Sequence, residues 1–272
     1  MNLILPFLAK HKHSILGAGL IFTLVTFLGC DKKPNFDKGF SVLESNQAEN
    51  TQDTVIKAGN YDALETQPGT VLLTGTDKIR LIPVFKVNIN KTNGERYVGK
   101  PQFYTNYDET YLQSKNYWHD HIVPGFEAAY GFNLLNIAVA QEDSVLAVSL
   151  FEPVVLINTI YYPSFDTDTL NYKPIKRNYF LLTVYDEDTN KDGFIDNKDM
   201  RRMYYFNIYG SEKIRLIPQD YSVFKSTYDE ANDWMFLYAK LDENKNGRAD
   251  DSDPIHVFRL ALESGKQVSV VY

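Results

Sequence analysis

From about residue 70 to the end, apolar positions recur in short runs rich in Val, Ile, Tyr and Phe. No window keeps an apolar 3.6-residue period over three turns. The pattern predicts an all-β chain with strands at 70–75, 78–89, 132–140, 144–150, 154–162, 178–185, 203–209, 213–218, 234–241, 255–262 and 267–272. Several of these runs, "VVLINTIYY" and "NYFLLTVY" among them, are apolar at consecutive positions. Such strands suit sheets stacked face to face better than one sheet with a wet side.

The polar stretches between the runs repeat. "KIRLIPVFK" at 78–86 returns as "KIRLIP…SVFK" at 213–225. A shorter echo is sharper: strand, acidic loop, strand, Gly-containing turn and short strand occur at 178–218 and again at 234–271, with the loops starting at Asp188 and Asp242. "YSVFKSTYDEANDW" between the two units supplies a further strand and a hairpin turn, so each repeat has four strands.

Both loops have the composition of a calcium site. Calcium takes six to eight oxygens, and a twelve-residue loop supplies them from positions 1, 3, 5, 7, 9 and 12, with Gly at position 6. In loop 188–199 the ligands are Asp188, Asn190, Asp192, the carbonyl of Phe194, Asp196 and Asp199, with Gly193 at the turn. In loop 242–253 they are Asp242, Asn244, Asn246, the carbonyl of Arg248, Asp250 and Asp253, with Gly247 at the turn. Asp stands at position 12 of both loops where the longer Glu usually reaches in, which predicts modest affinity. Strand-like segments flank the loops, so a bound ion is expected to rivet a long hairpin rather than swing helices apart. The rival reading of these residues is a pair of metal-free hairpin turns, because Asp, Asn and Gly favour turns in any case.

The segment "SVFKSTYDEANDWMFLYAKLDENKNGRADDSDPIHVFRLALESGKQVSVV" resembles a blade of the β-propeller repeats of TolB-like and WD40-like periplasmic proteins, with the acidic loop enlarging its second hairpin. The chain as a whole resembles uncharacterised lipoproteins of Bacteroidota that carry EF-hand-like loops of this kind. The resemblance implies a β-propeller-like domain at 69–272, incomplete at the length available, since the span allows about four or five blades. A third unit, "FNLLNIAVAQEDSVLAVSLFEP", lacks the loop, and a β-sandwich is the structural alternative.

The N-terminal end changes the picture of where the domain sits. Lys10 and Lys12 lead into the apolar run "ILGAGLIFTLVTFLGC", which is short for a bilayer span and ends at the chain's single cysteine, Cys30. With Leu28 and Gly29 before it, and Phe27 where Leu is commoner, the run resembles the lipobox of a bacterial lipoprotein. A transmembrane anchor is the rival. The lipoprotein reading makes 1–29 a signal peptide, Cys30 the lipidated residue, 30–68 a polar tether, and the location the cell envelope, at the outer membrane and facing either the periplasm or the surface. It also leaves no thiol for catalysis, disulfides or thiolate metal sites.

Charge narrows the partners. The full chain carries a formal −7 at pH 7; without residues 1–29 it has 26 basic against 35 acidic side chains. That balance argues against nucleic acid as a partner. The hydrophobic fraction of 44% is that of a globular domain. "YWHDH" brings His119, Asp120 and His121 together, but a zinc site there lacks a third local ligand. No G-x-S-x-G elbow and no phosphate-cradling glycine loop occurs. Two functions remain: an envelope binding or scaffold module for a protein or glycan, with two structural calcium ions, or an envelope hydrolase with its active site near His119, Asp120 and His121.

Overall fold

Strands form where β-branched and aromatic residues run together, and their two-residue period decides which layer each side chain joins. The computed structural model describes residues 36, 38–42, 64–90, 92–104 and 123–272, with no helix among them. Cys30, the segment 1–29 and His119 to His121 lie outside the described residues.

In chain order the strands are β1 (Phe40–Ser41), β2 (Thr66–Pro68), β3 (Leu72–Leu73), β4 (Ile79–Ile89), β5 (Arg96–Val98), β6 (Gln102–Phe103), β7 (Phe126–Tyr130), β8 (Leu134–Gln141), β9 (Val148–Ser149) and β10 (Leu156–Pro163). They continue with β11 (Asp168–Leu170), β12 (Lys173–Ile175), β13 (Tyr179–Tyr185), β14 (Phe194–Ile195), β15 (Arg202–Asn207), β16 (Lys213–Arg215), β17 (Tyr221–Asp229), β18 (Trp234–Leu241), β19 (Ile255–Ala261) and β20 (Gln267–Val270). The first large sheet runs β2-β4-β8-β9, with β3 and β5 also paired to β4. The second runs β16-β15-β13-β10-β7-β6, and the third is the four-stranded meander β17-β18-β19-β20. Pairing is antiparallel throughout.

The second sheet lies between the other two because both of its faces are apolar. Along β13, Phe180, Leu182 and Val184 pack with Leu81, Ile137 and Val139 of the first sheet. Tyr179 and Leu181 turn the other way and pack with Met235, Leu237 and Leu260 of the third. β15 divides in the same manner, Tyr204 and Phe206 to one core, Met203 and Tyr205 to the other. Each such aliphatic or aromatic side chain stabilises the stack by about 1.5–3 kcal/mol through the area it removes from water. The expected all-β class and stacked antiparallel sheets are therefore present, and no sheet closes on itself among the described residues.

Three expectations are corrected. The span 30–68 is not tether throughout, because Phe40 is only 1% exposed and packs with Leu135, Leu156, Tyr185 and Ile195, while Thr66–Pro68 pairs with β4. The run 144–150 is strand only at Val148–Ser149; Ser144 closes a turn onto Gln141 and Leu146, and Val145 and Leu146 stand 101% and 77% exposed. Turn chemistry at Glu142-Asp143-Ser144 outweighs the apolar character of the residues that follow. The run 70–75 likewise shortens to Leu72–Leu73.

Candidate metal centre

Loop 188–199 joins β13 to β15 and loop 242–253 joins β18 to β19. These are equivalent points: each loop connects neighbouring strands of an antiparallel meander, one in the second sheet and one in the third.

The two loops share one backbone conformation. Position 4 has a left-handed φ in both, +60° at Lys191 and +57° at Lys245, and so has position 6, +85° at Gly193 and +74° at Gly247. Their hydrogen bonds also correspond. The carboxylate of Asp188 accepts from the N–H groups of Asp192 (3.1 Å) and Gly193 (2.8 Å); that of Asp242 accepts from Asn246 (3.0 Å) and Gly247 (2.9 Å). Asn190 Oδ1 accepts from Asp192 N, as Asn244 Oδ1 does from Asn246 N. The residue at position 5 then accepts from the N–H of position 7, Asp192 from Phe194 and Asn246 from Arg248. The position-12 carboxylate reaches back to position 9, Asp199 to Asp196 N (2.9 Å) and Asp253 to Asp250 N (2.7 Å).

Burial sharpens the electrostatics. Asp196, Asp199 and Asp253 are buried, Asp199 to 3% exposure. Burial pushes the Asp199 carboxyl up from its ordinary value, against the pull of hydrogen bonds from Asp196, Asn190 and Thr189 N–H groups. Lys198 places its ammonium 2.9 Å from Asp196 and 3.7 Å from Asp192, partly offsetting the loop's charge.

The first loop is held from two sides. Phe40–Ser41 pairs antiparallel with Phe194–Ile195, and Val42 N donates to Gly193 O at 2.9 Å. On the other side Thr189 Oγ1 donates to the carbonyl of Gly247 in the second loop at 2.6 Å. A cleft of about 660 Å³ opens beside this contact, lined by Asp188, Lys191, Arg202, Asp220, Asp242 and Lys245. Burial lowers the Arg202 guanidinium from its usual value, and it donates to Tyr221 O at 3.0 Å.

The donor set is hard oxygen throughout, as calcium requires. Asn190 Nδ2, inside the first loop, is the buried side-chain polar atom left without a partner among the described residues. The carboxylates accept from their own loop's N–H groups, and no three His, Cys, Asp or Glu side chains among the described residues converge on one point. Donor chemistry and backbone conformation are thus those a calcium ion would require.

Sequence reading missed the loop clamp at Phe40 and the loop-to-loop contact at Thr189. The alternation of Phe40 and Val42 in "GFSVL", within a polar stretch, was the signal for the first; nothing local marked the second.

No protein-family model matches the chain. No curated protein matches it either. A solved structure of a putative TolB from Agrobacterium tumefaciens aligns over 77% of this chain and 81% of its own at 6% sequence identity, with a TM-score of 0.24. At that TM-score the likeness carries no argument about fold or function.

Proposed function

We propose that the chain is a lipid-anchored protein of the bacterial cell envelope, on the outer membrane, whose propeller-like stack of sheets is pinned by two calcium ions and serves as a binding or scaffold module for a protein or glycan. In this reading Cys30 carries the lipid, the three sheets are successive blades, and the ions are structural. The first ion is held by Asp188, Asn190, Asp192, the Phe194 carbonyl, Asp196 and Asp199. The second is held by Asp242, Asn244, Asn246, the Arg248 carbonyl, Asp250 and Asp253. The ions supply positive charge at points where carboxylates from one hairpin otherwise repel one another.

The observation that carries the reading is the repetition of one loop conformation, with the same left-handed positions and the same Asx-type bonds, at equivalent points of two successive sheets. A sheet hairpin has no helices to move, so a bound ion contributes rigidity and not switching.

The test is thermal unfolding of the full chain with calcium and with EDTA. Calcium raises the melting temperature by several degrees by ligand linkage, and Asp188→Ala together with Asp242→Ala abolishes that rise. An identical melt in calcium and EDTA overturns the metal reading. For the anchor, Cys30→Ser moves the protein from the membrane fraction to the soluble one; unchanged partitioning removes lipidation from the proposal.

A further inference from the structure

Among the described residues, no element packs on the outer face of the third sheet. β18 turns Met235, Leu237 and Ala239 into the core, and the strand period sends Trp234, Phe236 and Tyr238 to the opposite face, each half-buried. Register sets Lys225 of β17 beside Tyr238 and Arg259 of β19 beside Phe236. The aromatic row is thus flanked by a cation on either side.

The cations lie on the rings. The Arg259 guanidinium sits 4.3 Å from the Trp234 ring centroid, the Lys225 ammonium 5.2 Å from that of Tyr238, and the Lys240 ammonium 5.9 Å from that of Phe224. Such stacking fixes a cation in place without cancelling its charge. Lys240 is also joined to Asp251 at 3.1 Å, but Arg259 forms no ion pair among the described residues. A guanidinium lying over a ring can still offer N–H groups to a bidentate acceptor. The chain carries a net −7, and on this face Arg259, Lys225 and Lys240 stand against Asp229, the cross-strand neighbour of Trp234, and Asp251, so positive charge is in slight local excess. With fields screened within about 8 Å at physiological salt, that local sign governs what docks there.

We infer that this face, centred on Arg259 stacked on Trp234, docks an acidic polysaccharide whose sugar units carry carboxylates. The inference rests on the binding-module reading above and names its ligand class. Sugar C–H surfaces meet the aromatic row, whose Trp234 and Phe236 centroids lie 6.4 Å apart, while carboxylates take the guanidinium edge. The rings are half-buried in the sheet and do not project as bilayer insertion requires.

The experiment titrates the full chain, at constant calcium, with polygalacturonate, neutral dextran, single-stranded DNA and phosphatidylglycerol vesicles. Polygalacturonate binds and the other three do not. Arg259→Gln weakens that binding about tenfold and Arg259→Lys by less, with melting temperatures unchanged. Thr227→Glu, which puts an acid beside Phe236, weakens it as well and serves if Arg259→Gln fails to fold. The inference is overturned if polygalacturonate does not bind, if it binds Arg259→Gln equally, or if DNA or vesicles bind with the same dependence on Arg259. A partner captured from envelope extract that Arg259→Gln still captures, alongside a negative titration, sinks this inference and leaves the binding-module reading standing.

Discussion

Arg177 holds both carboxylate oxygens of Asp233, Nη1 to Oδ2 at 2.8 Å and Nη2 to Oδ1 at 2.6 Å, and so fastens the approach to β13 in the second sheet to the β17–β18 turn of the third. The same guanidinium donates to Leu262 O (2.9 Å) and Pro124 O (3.1 Å), and Tyr228 adds its hydroxyl to Asp233. The side chains are 3% and 17% exposed. Burial works against the charged guanidinium, yet the Asp233 hydrogen bonds leave its pKa raised overall.

Removing one partner strands the other in a poorly solvated corner. Arg177→Met is expected to lower unfolding free energy by about 3 kcal/mol in urea titrations. Arg177→Met with Asp233→Leu should cost less than the two single changes added together. Additive losses would show that the pair is not coupled.

The loop contact predicts a contrast between two glycines with similar φ. A Cβ on Gly247 (φ +74°) would fall 1.9 Å from Thr189 O, whereas one on Gly94 (φ +69°) meets nothing within 4 Å. Gly94→Ala should cost about 1–2 kcal/mol, the strain of a left-handed backbone alone. Gly247→Ala should cost clearly more, because backbone must move, and it should break the Thr189 bond. Equal melting temperatures for the two variants would contradict the close approach.

Buried tyrosines predict the alkaline limit of stability. Burial, reinforced by Glu127 and Asp186 respectively, raises the phenols of Tyr162 and Tyr204 well above the ordinary value, and burial does the same for Tyr179 and Tyr228. A group whose pKa is raised on folding stabilises fully below its unfolded value, here about pH 10, and that stability is lost as pH climbs toward the folded value. Tyrosinate absorbance should therefore rise in two phases, the second coinciding with loss of the circular dichroism signal. One phase over an intact fold would refute the assignment.

Core and surface leucines should differ sharply despite similar hydropathy. Leu182 is fully buried between the first and second sheets, while Leu146 is 77% exposed at a turn. Leu182→Ala is expected to cost about 2–5 kcal/mol and Leu146→Ala less than about 0.5 kcal/mol, measured by denaturant unfolding.

The amino-acid sequence by itself determined the all-β class, most of the long strands and the two acidic loops. Each of these is written in a local pattern: period-two burial for Met235 to Ala239, an apolar run from Tyr179 to Leu182, Asp and Asn at fixed offsets around Gly193 and Gly247. Tertiary structure alone decided that Phe40 leaves a polar stretch to clamp the first loop, that Val145 and Leu146 stay in water, and that β7, with its small Ala128 and Ala129, joins the second sheet. It also decided that Thr189 meets Gly247, 58 residues away, and that Arg177 meets Asp233, 56 away. Periodicity reports what a residue's neighbours in sequence will bury, but which layer covers a face depends on area and hydrogen bonds offered by distant segments, and no local window contains them.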